Sequence, residues 1–121
     1  MPFISPLLCS LFGEKQTVSI TQDTRTHKIY GKEKAIEQFN CSYGLNEAYR
    51  ELLKDGDLRI AGVDHQNEVR IVEFPDHRFF IATLYMPQLS STPESPHPLI
   101  VSFLKAAQSF QAIREDIVFV L

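Results

Sequence analysis

The segment Glu73–Gln88 constrains the fold most, because it combines a tight turn, a strand and a stop in one short stretch. Pro75–His77 predicts the turn, since proline presets φ and an aspartate after it can bond its own backbone. Phe79–Tyr85 is a nearly unbroken run of apolar, aromatic and β-branched residues, which is typical of a strand covered on both faces. Pro87 ends the run, because a residue without an N–H cannot continue a central ladder. The segment therefore predicts a buried strand that leads from a turn to an exposed corner.

Four further segments alternate between apolar and polar residues, as strands with one buried face do. They are Gln16–Thr21, Glu33–Tyr43, Leu58–Val63 and Glu68–Phe74. The last two flank a polar loop at residues 64–67, which predicts a hairpin, and a short turn then leads to Phe79–Tyr85. Three consecutive strands joined by short turns predict an antiparallel meander.

Capping residues mark two predicted helices in the first half of the chain. Asp23 or Thr24 caps a single helical turn that Gly31 closes. Asn46 caps an amphipathic helix over Glu47–Lys54. The predicted apolar face of this second helix consists of Ala48, Leu52 and Leu53.

The C-terminal part of the chain predicts one more helix and an apolar tail. Residues 89–98 are rich in proline, serine and threonine, which indicates a surface loop. Leu99–Ala107 is predicted to form a helix that continues towards Arg114. Ile117–Leu121 is hydrophobic and strand-like. The opening segment Met1–Lys15 has no clear period, so a short helix and a docking loop both stay open for it.

These elements predict an α/β fold in which a mixed sheet contains the three-strand antiparallel meander and helices lie against its faces. At 121 residues the chain is one domain at most. A formal net charge of -3 argues against a nucleic-acid surface, which usually carries a basic stripe. No apolar run approaches the length of a membrane span. The two cysteines, Cys9 and Cys41, fit a reducing compartment, so we expect the cytoplasm.

Three segments resemble the class I glutamine amidotransferase domain of CTP synthases. Glu73–Phe80, with the corner at residues 85–88, is similar to the family's Leu-Pro-Asp-His-x-Phe-Phe-like turn and Phe-His-Pro-Glu-like corner. Glu37–Asn46 resembles the family's Glu-Arg-His-Arg-His-Arg-Tyr-Glu-Val-Asn segment and keeps its first glutamate, its tyrosine and its asparagine. Ser95–Leu99 resembles the Arg-Pro-His-Pro-Leu entry to the family's last helix. The resemblance covers about Thr17–Ala107 and implies the C-terminal half of such a domain.

The resemblance implies that the catalytic triad of the family is degenerate in this chain. The family's corner supplies the histidine and the glutamate of a Cys-His-Glu triad, and Met86 and Gln88 stand at those two positions. A thioether cannot take a proton from a thiol, and an amide cannot stabilise an imidazolium as a carboxylate does. Neither Cys9 nor Cys41 lies in the Gly-x-Cys-x-Gly turn that presents the family's nucleophile. We therefore expect no catalytic residues.

The candidate ligand-binding residues are Tyr85, Met86, Gln88, Cys41 and Tyr43. A pocket lined by the first three is one interpretation of the corner, and relics of a lost site are the other. For Cys41 a nucleophilic role competes with that of a buried, inert thiol, because the sequence places no basic residue close to it to lower its pKa. The four histidines have no metal-ligand spacing, so we expect neither a metal nor a cofactor.

We interpret the chain as a catalytically inactive amidotransferase-like fragment, a binding or regulatory module that the resemblance relates to pyrimidine nucleotide biosynthesis. Two alternatives stay open: one part of an amidotransferase completed by a missing N-terminal half, and a hydrolase that depends on Cys41. The predicted single domain spans residues 1–121, with a docking segment at 1–16, the family-like part at 17–107 and a tail at 108–121. Because a half-domain exposes an open sheet edge, we expect a homo-oligomer or a complex with a separate amidotransferase-half protein.

Overall fold

The computed structural model of the chain describes residues 4–7, 11–40 and 43–120, and it describes the backbone alone at 54, 55 and 112–120. Seven strands, three α-helices and two short 3₁₀ helices lie within these ranges. In chain order they are β1 (Ile4–Pro6), β2 (Glu14–Ile20), α1 (Arg25–Tyr30), β3 (Lys34–Phe39), β4 (Tyr43–Leu45), the first 3₁₀ helix (Glu47–Tyr49), α2 (Arg50–Asp55), β5 (Arg59–Asp64), β6 (Val69–Glu73), β7 (Ile81–Thr83), the second 3₁₀ helix (Pro87–Ser90) and α3 (Pro98–Val120).

Five of the strands form one sheet in the order β3-β2-β5-β6-β7, and β1 pairs with β4 in a separate two-stranded sheet. The predicted meander is confirmed as β5-β6-β7. The prediction of a mixed sheet is not met in the described part of the chain, because all five strand pairings there are antiparallel. A parallel pair needs a crossover of a dozen or more residues, whereas β5, β6 and β7 follow one another through short turns.

The predicted fully covered strand Phe79–Tyr85 is shorter and more exposed than its composition suggests. β7 keeps three residues at the edge of the sheet, with Ala82 exposed. Other apolar side chains of the run pack against different neighbours. Phe79 makes an edge contact with Phe103 of α3, and Tyr85 turns into the core. A run of apolar residues therefore does not always form one central strand. Its side chains can also pack against several different neighbours.

The core lies between the main sheet and the segments that cover it. Its larger cluster consists of Val18, Phe39, Ala61, Ile71, Tyr85 and Leu99. A smaller cluster, under the two-stranded sheet and α2, consists of Leu45, Leu53 and Val69. Gly62 leaves room for the Ile71 side chain, because a Cβ at this position would lie 2.6 Å from Ile71 Cδ1. The sheet also curls, since the Met86 N–H that follows β7 donates to the Gln38 carbonyl on β3 at 3.0 Å.

Helix α1 confirms the predicted caps, whereas the helix after Asn46 differs in phase from the prediction. The Thr24 side chain accepts from the His27 N–H, and Gly31 ends α1 in the left-handed conformation at φ 68°. Asn46 caps a 3₁₀ turn instead, and α2 begins only at Arg50. A 3₁₀ turn has about three residues instead of 3.6, so it rotates every later side chain. Ala48 and Leu52 are consequently exposed, contrary to the prediction, and Leu53 alone of the predicted face is buried.

The predicted strand Glu33–Tyr43 is divided, and a strand at the N-terminal end was missed. β3 ends at Phe39 and β4 begins at Tyr43. β4 pairs with Ile4–Pro6, which lies in the segment predicted to be a helix or a docking loop. Prolines obscure this strand in the sequence because they remove ladder donors, yet an edge position tolerates them.

The apolar tail is helical, not strand-like as predicted. Helix α3 continues from Pro98 to Val120 without interruption, and Leu121 lies outside the described residues. The segment 99–120 contains neither glycine nor proline, so nothing in it breaks the helix once Pro98 has started it. Local β-branched residues such as Ile117 and Val118 lower helix propensity only slightly.

We expect Leu53→Ala to destabilise the protein by about 2–5 kcal/mol, because it empties a buried position in the smaller cluster. Leu52→Ala is the matched control. Leu52 is the neighbouring leucine on α2 and is 64 % exposed, whereas Leu53 is 7 % exposed. Its cost should stay within about 0.5 kcal/mol. Urea unfolding followed by circular dichroism measures both. Equal losses would place Leu52 in the core and contradict the phase of α2.

Candidate functional site

The corner Tyr85–Gln88, where the family's triad residues would stand, is held mainly by backbone. The Met86 N–H donates to the Gln38 carbonyl at 3.0 Å, and the Thr83 hydroxyl donates to the Tyr85 carbonyl at 2.9 Å. Pro87 begins a 3₁₀ turn in which Gln88 is exposed. None of these bonds uses the Met86 or Gln88 side chain. The corner therefore keeps its shape whichever side chains these two positions carry.

The structure does not gather the five predicted ligand-binding residues into one pocket. Tyr85 is 5 % exposed and packs against Phe39 at 5.6 Å between ring centroids. Tyr43 is exposed on the separate two-stranded sheet. Cys41 lies outside the described residues. A surface groove of about 200 Å³ includes Pro87 in its wall, but not the residues on either side of it. Ligand binding at these positions stays a prediction.

Behind the corner lies a buried polar cluster that we call the Glu37 cluster, formed by Tyr30, Glu37, Tyr85 and His97. Glu37 Oε1 lies 2.5 Å from His97 Nε2 and 2.7 Å from the Tyr30 hydroxyl. The Tyr30 and Tyr85 hydroxyls lie 2.8 Å apart. Glu37 and His97 are 2 % and 5 % exposed. The cluster joins α1, β3, the corner and the start of α3.

The partners of each group assign the protons in this cluster. His97 Nδ1 accepts the Leu99 N–H at 3.1 Å, so it carries a lone pair, and Nε2 carries the proton that is donated to Glu37. Tyr30 donates its hydroxyl proton to the carboxylate, which leaves Tyr85 to donate to Tyr30. Every hydrogen bond therefore points towards Glu37. The cluster is built around one buried negative charge, with a neutral imidazole beside it.

Both tyrosines of the cluster stay protonated. Burial, then the neighbouring Tyr85 and Glu37, raise the pKa of the Tyr30 hydroxyl far above its ordinary value of 10.0. Burial is also the main cause of the raised pKa of Tyr85, which the Glu37 charge raises further. Neither hydroxyl can serve as a phenolate base near neutral pH. The second carboxylate oxygen of Glu37 is buried and has no hydrogen-bond partner among the described groups.

The remaining histidines offer no base paired with a nucleophile in the described chain. His65 and His77 are exposed in turns, and His27 lies in the last turn of α1. His77 packs edge-on against Phe74 at 4.3 Å between ring centroids. Across the described residues, no group of three or more His, Cys, Asp or Glu side chains is placed to hold a metal ion.

A second buried carboxylate, Glu73, anchors α1 to the sheet. Its oxygens accept the N–H groups of Arg25 and Thr26, the Thr26 hydroxyl and the Arg59 guanidinium, at 3.0–3.2 Å. The first two donors belong to the start of α1, where a negative charge is favoured. Burial by itself would raise the pKa of the Glu73 carboxyl, but the hydrogen bonds from Thr26, Arg59 and Arg25 outweigh it and hold the pKa below its ordinary value of 4.5.

Sequence reasoning singled out Glu37 and His97 only as matches to family segments. Tyr30 was assigned to a helical turn without any partner. The signal for Glu37 was present, since Ala35, Glu37 and Phe39 alternate towards the same face of β3. A carboxylate on an inward face requires buried donors. Nothing in the sequence identifies those donors, because they lie up to 60 residues away in the chain.

Comparison of the fold with solved structures defines the class first. The chain superposes on the glutaminase domain of Trypanosoma brucei CTP synthase, solved with bound acivicin, with a TM-score of 0.77 and 31% identity over 84% of this chain and 40% of that one. A Thermoplasma acidophilum protein described as part of a GMP synthase has the same fold, with a TM-score of 0.67 at 16% identity over 93% of this chain and 51% of that one. The chain thus has the fold of part of a glutaminase domain.

Sequence comparison shows similarity to part of CTP synthases. The chain is 39% identical over 89 residues to the CTP synthase of Picosynechococcus sp., and 35% identical over 101 residues to that of Buchnera aphidicola. The matched segments cover 73% and 83% of this chain and span 16% and 19% of the length of these two relatives. No protein-family model matches the chain. In the described part, no helix combines the length and the apolar character needed to cross a membrane.

Lowering the pH should remove the contribution of Glu73 to stability. Because its pKa is lower in the folded protein than in the unfolded chain, the stabilisation is complete above about pH 4.5 and is lost as the pH falls through the folded pKa. Urea unfolding between pH 3 and pH 7 should therefore show a shallower acid loss for Glu73→Gln than for the native protein. Glu94→Gln, in an exposed loop, is the control. Parallel curves for all three proteins would contradict the assignment.

We expect Tyr30→Phe to cost about 1–3 kcal/mol, because it leaves the Tyr85 hydroxyl without its acceptor and removes one of the two donors to Glu37. Tyr85→Phe should cost less, since it removes one donor at the end of the chain of hydrogen bonds. Both substitutions keep the ring and therefore the packing. The difference in unfolding free energy tests the proton assignment, and a larger loss for Tyr85→Phe would reverse it.

Proposed function

We propose that this chain is a CTP-synthase-like glutaminase fragment that has no glutaminase activity of its own and acts as a binding module. Amide hydrolysis by a glutaminase of this class needs a thiol, a base and an orienting carboxylate. At the corner, the Met86 side chain cannot act as the base and the Gln88 side chain is an amide instead of a carboxylate. The corner is nevertheless held in place by backbone hydrogen bonds and by the buried cluster behind it. A corner that keeps its backbone arrangement but lacks the base and the orienting carboxylate favours a binding function over catalysis.

The observation that carries this proposal is the closed environment of His97. Its Nδ1 accepts a backbone N–H, its Nε2 donates to Glu37, and the ring is buried. A general base needs a free lone pair within reach of the proton that it removes. His97 therefore cannot replace the missing base without dismantling the cluster.

The similarity to a longer domain supports a second candidate function. Because the chain spans only 40% of the Trypanosoma glutaminase domain, it is also consistent with one part of an amidotransferase that an N-terminal half completes, either on the same gene or as a separate polypeptide. Such an enzyme would still need a base at the position of Met86. The Cys41-dependent hydrolase is a third candidate, and Cys41 lies outside the described residues.

The purified chain should release no more ammonia from glutamine than buffer does. A coupled glutamate dehydrogenase assay measures this, with an active glutaminase as positive control. The double change Met86→His and Gln88→Glu should also stay inactive, because no cysteine stands in a nucleophile elbow. Turnover that Cys41→Ser abolishes would establish the hydrolase instead. Turnover that appears only with the double change would show that a nucleophile is present.

The two-polypeptide enzyme is tested by mixing. The first part of a CTP synthase glutaminase domain, carrying its own nucleophile, is combined with the native chain and with the Met86→His, Gln88→Glu variant. We expect no glutaminase activity with the native chain, because the base is absent. Activity of the native mixture would overturn the proposal, whereas activity of the variant mixture alone would support it directly.

A further inference from the structure

The backbone groups of strand β7 point alternately towards β6 and away from it. The Leu84 N–H donates to the Arg70 carbonyl at 2.9 Å. At the other end of the strand, the Phe74 N–H donates to the Phe80 carbonyl at 3.1 Å. Because hydrogen-bonded pairs alternate along an antiparallel ladder, Ala82 occupies the hydrogen-bonded position midway between these two. Its N–H and C=O groups therefore point towards β6.

The two neighbours of Ala82 direct their backbone groups the other way. Ile81 and Thr83 stay in register with β6, but at positions where the two strands exchange no hydrogen bonds. Their N–H and C=O groups lie on the open side of β7, the last strand of the main sheet. None of these groups has a hydrogen-bond partner among the described residues. An open edge of this kind is a template for another strand.

We propose that β7 of a second copy of this chain pairs with this edge, antiparallel and around a two-fold axis at Ala82. Ile81 then lies opposite Thr83 of the second copy, and Thr83 lies opposite Ile81. Each of these pairs exchanges two hydrogen bonds, so every open donor and acceptor on both edges is used. The edge is complementary to itself, which is what a two-fold interface requires.

The alternation of partial charges along the edge selects this register. The two-fold rotation brings each open N–H, which is positive, against an open C=O, which is negative. A shift by one residue would place Ala82, whose groups already bond to β6, opposite an open donor or acceptor. The paired segment is also short, because the chain turns away after β7 and the Met86 N–H bonds to the Gln38 carbonyl.

The side chains beside the edge add apolar contact to the pair. Ile81 and Thr83 line a groove of about 200 Å³ whose other wall is the start of α3. In that wall Phe103 is 54 % exposed and makes an edge contact with Phe79 at 5.7 Å between ring centroids. A second β7 beside the first brings its own Ile81 and Thr83 to the mouth of this groove. Their burial there removes apolar surface from water on both copies.

Ala82 lies on the two-fold axis and faces its own copy. Cα atoms at such a position of an antiparallel pair are about 4.5 Å apart, so a small side chain suits it. Ala82 is exposed in the single chain. Because β7 has only three residues, we expect a dimer that dissociates on dilution, as is usual for interfaces below about 1,200 Å². The pairing uses the open edge of both copies, so assembly ends at two.

A charge exchange at position 82 tests the pairing. Analytical ultracentrifugation of the full chain, from low micromolar to millimolar concentration, should show an equilibrium between monomer and dimer. Ala82→Lys and Ala82→Glu should each raise the dissociation constant about tenfold or more, because like charges meet on the axis. An equimolar mixture of the two variants should restore the dimer, since a lysine then faces a glutamate.

The matched control is Ile36→Lys, because Ile36 is 69 % exposed on β3, the opposite outer strand. It should leave the dimer unchanged, and circular dichroism confirms that every variant is folded. A native chain that stays monomeric over the whole range overturns the proposal, and so does a mixture that associates no better than its components. Dissociation by Ile36→Lys alone would place the interface at β3 and overturn the proposal as well.

Disulfide formation then tests the orientation. In a Cys9→Ser, Cys41→Ser background, Ala82→Cys should crosslink to its own copy on mild oxidation, because a Cα separation of about 4.5 Å suits a disulfide. Ile36→Cys should not crosslink. A dimer in which Ala82→Cys stays reduced would contradict the two-fold register. Glutaminase activity of the chain would leave these results untouched, since the pairing of β7 does not depend on the side chains of the corner.

Discussion

The arrangement of the chain depends on the hydrogen bonds that the buried Glu37 carboxylate accepts. It accepts from Tyr30 on α1 and from His97 before α3, and Tyr30 links it to Tyr85 at the corner. Segments far apart in sequence are thus fixed to one strand. A buried charge without donors would be strongly unfavourable, so these segments must be in place before the core is complete. The cluster gives the fold a unique arrangement, whereas apolar packing alone tolerates several.

Structure and chemistry are separable at the corner. Met86 contributes a backbone N–H to the Gln38 carbonyl, and Tyr85 contributes a hydroxyl to the cluster, whereas the Met86 thioether and the Gln88 amide take no part in either. Replacement of these two side chains would therefore remove no hydrogen bond that maintains the corner.

Local patterns predicted the meander, both caps of α1 and the start of α3, because each depends on neighbouring residues. The local patterns failed where contacts between residues distant in sequence determine the structure. The run Phe79–Tyr85 gave no sign that its side chains would pack in different places. The 3₁₀ turn after Asn46 rotated α2 enough to expose Leu52, while Leu53 stayed buried as predicted. Glu37 and His97 were noticed only through a resemblance. Their pairing depends on the sheet, which no local window contains.

The position of Glu37 on β3 also determines how copies of the protein can associate. β3 is one outer strand of the main sheet, and its Gln38 carbonyl is already occupied by the corner. The opposite outer strand, β7, offers only three residues. A charge that points inward on one border and a very short strand on the other both oppose open-ended strand addition. Growth into fibrils by strand addition is thereby disfavoured at both borders of the main sheet.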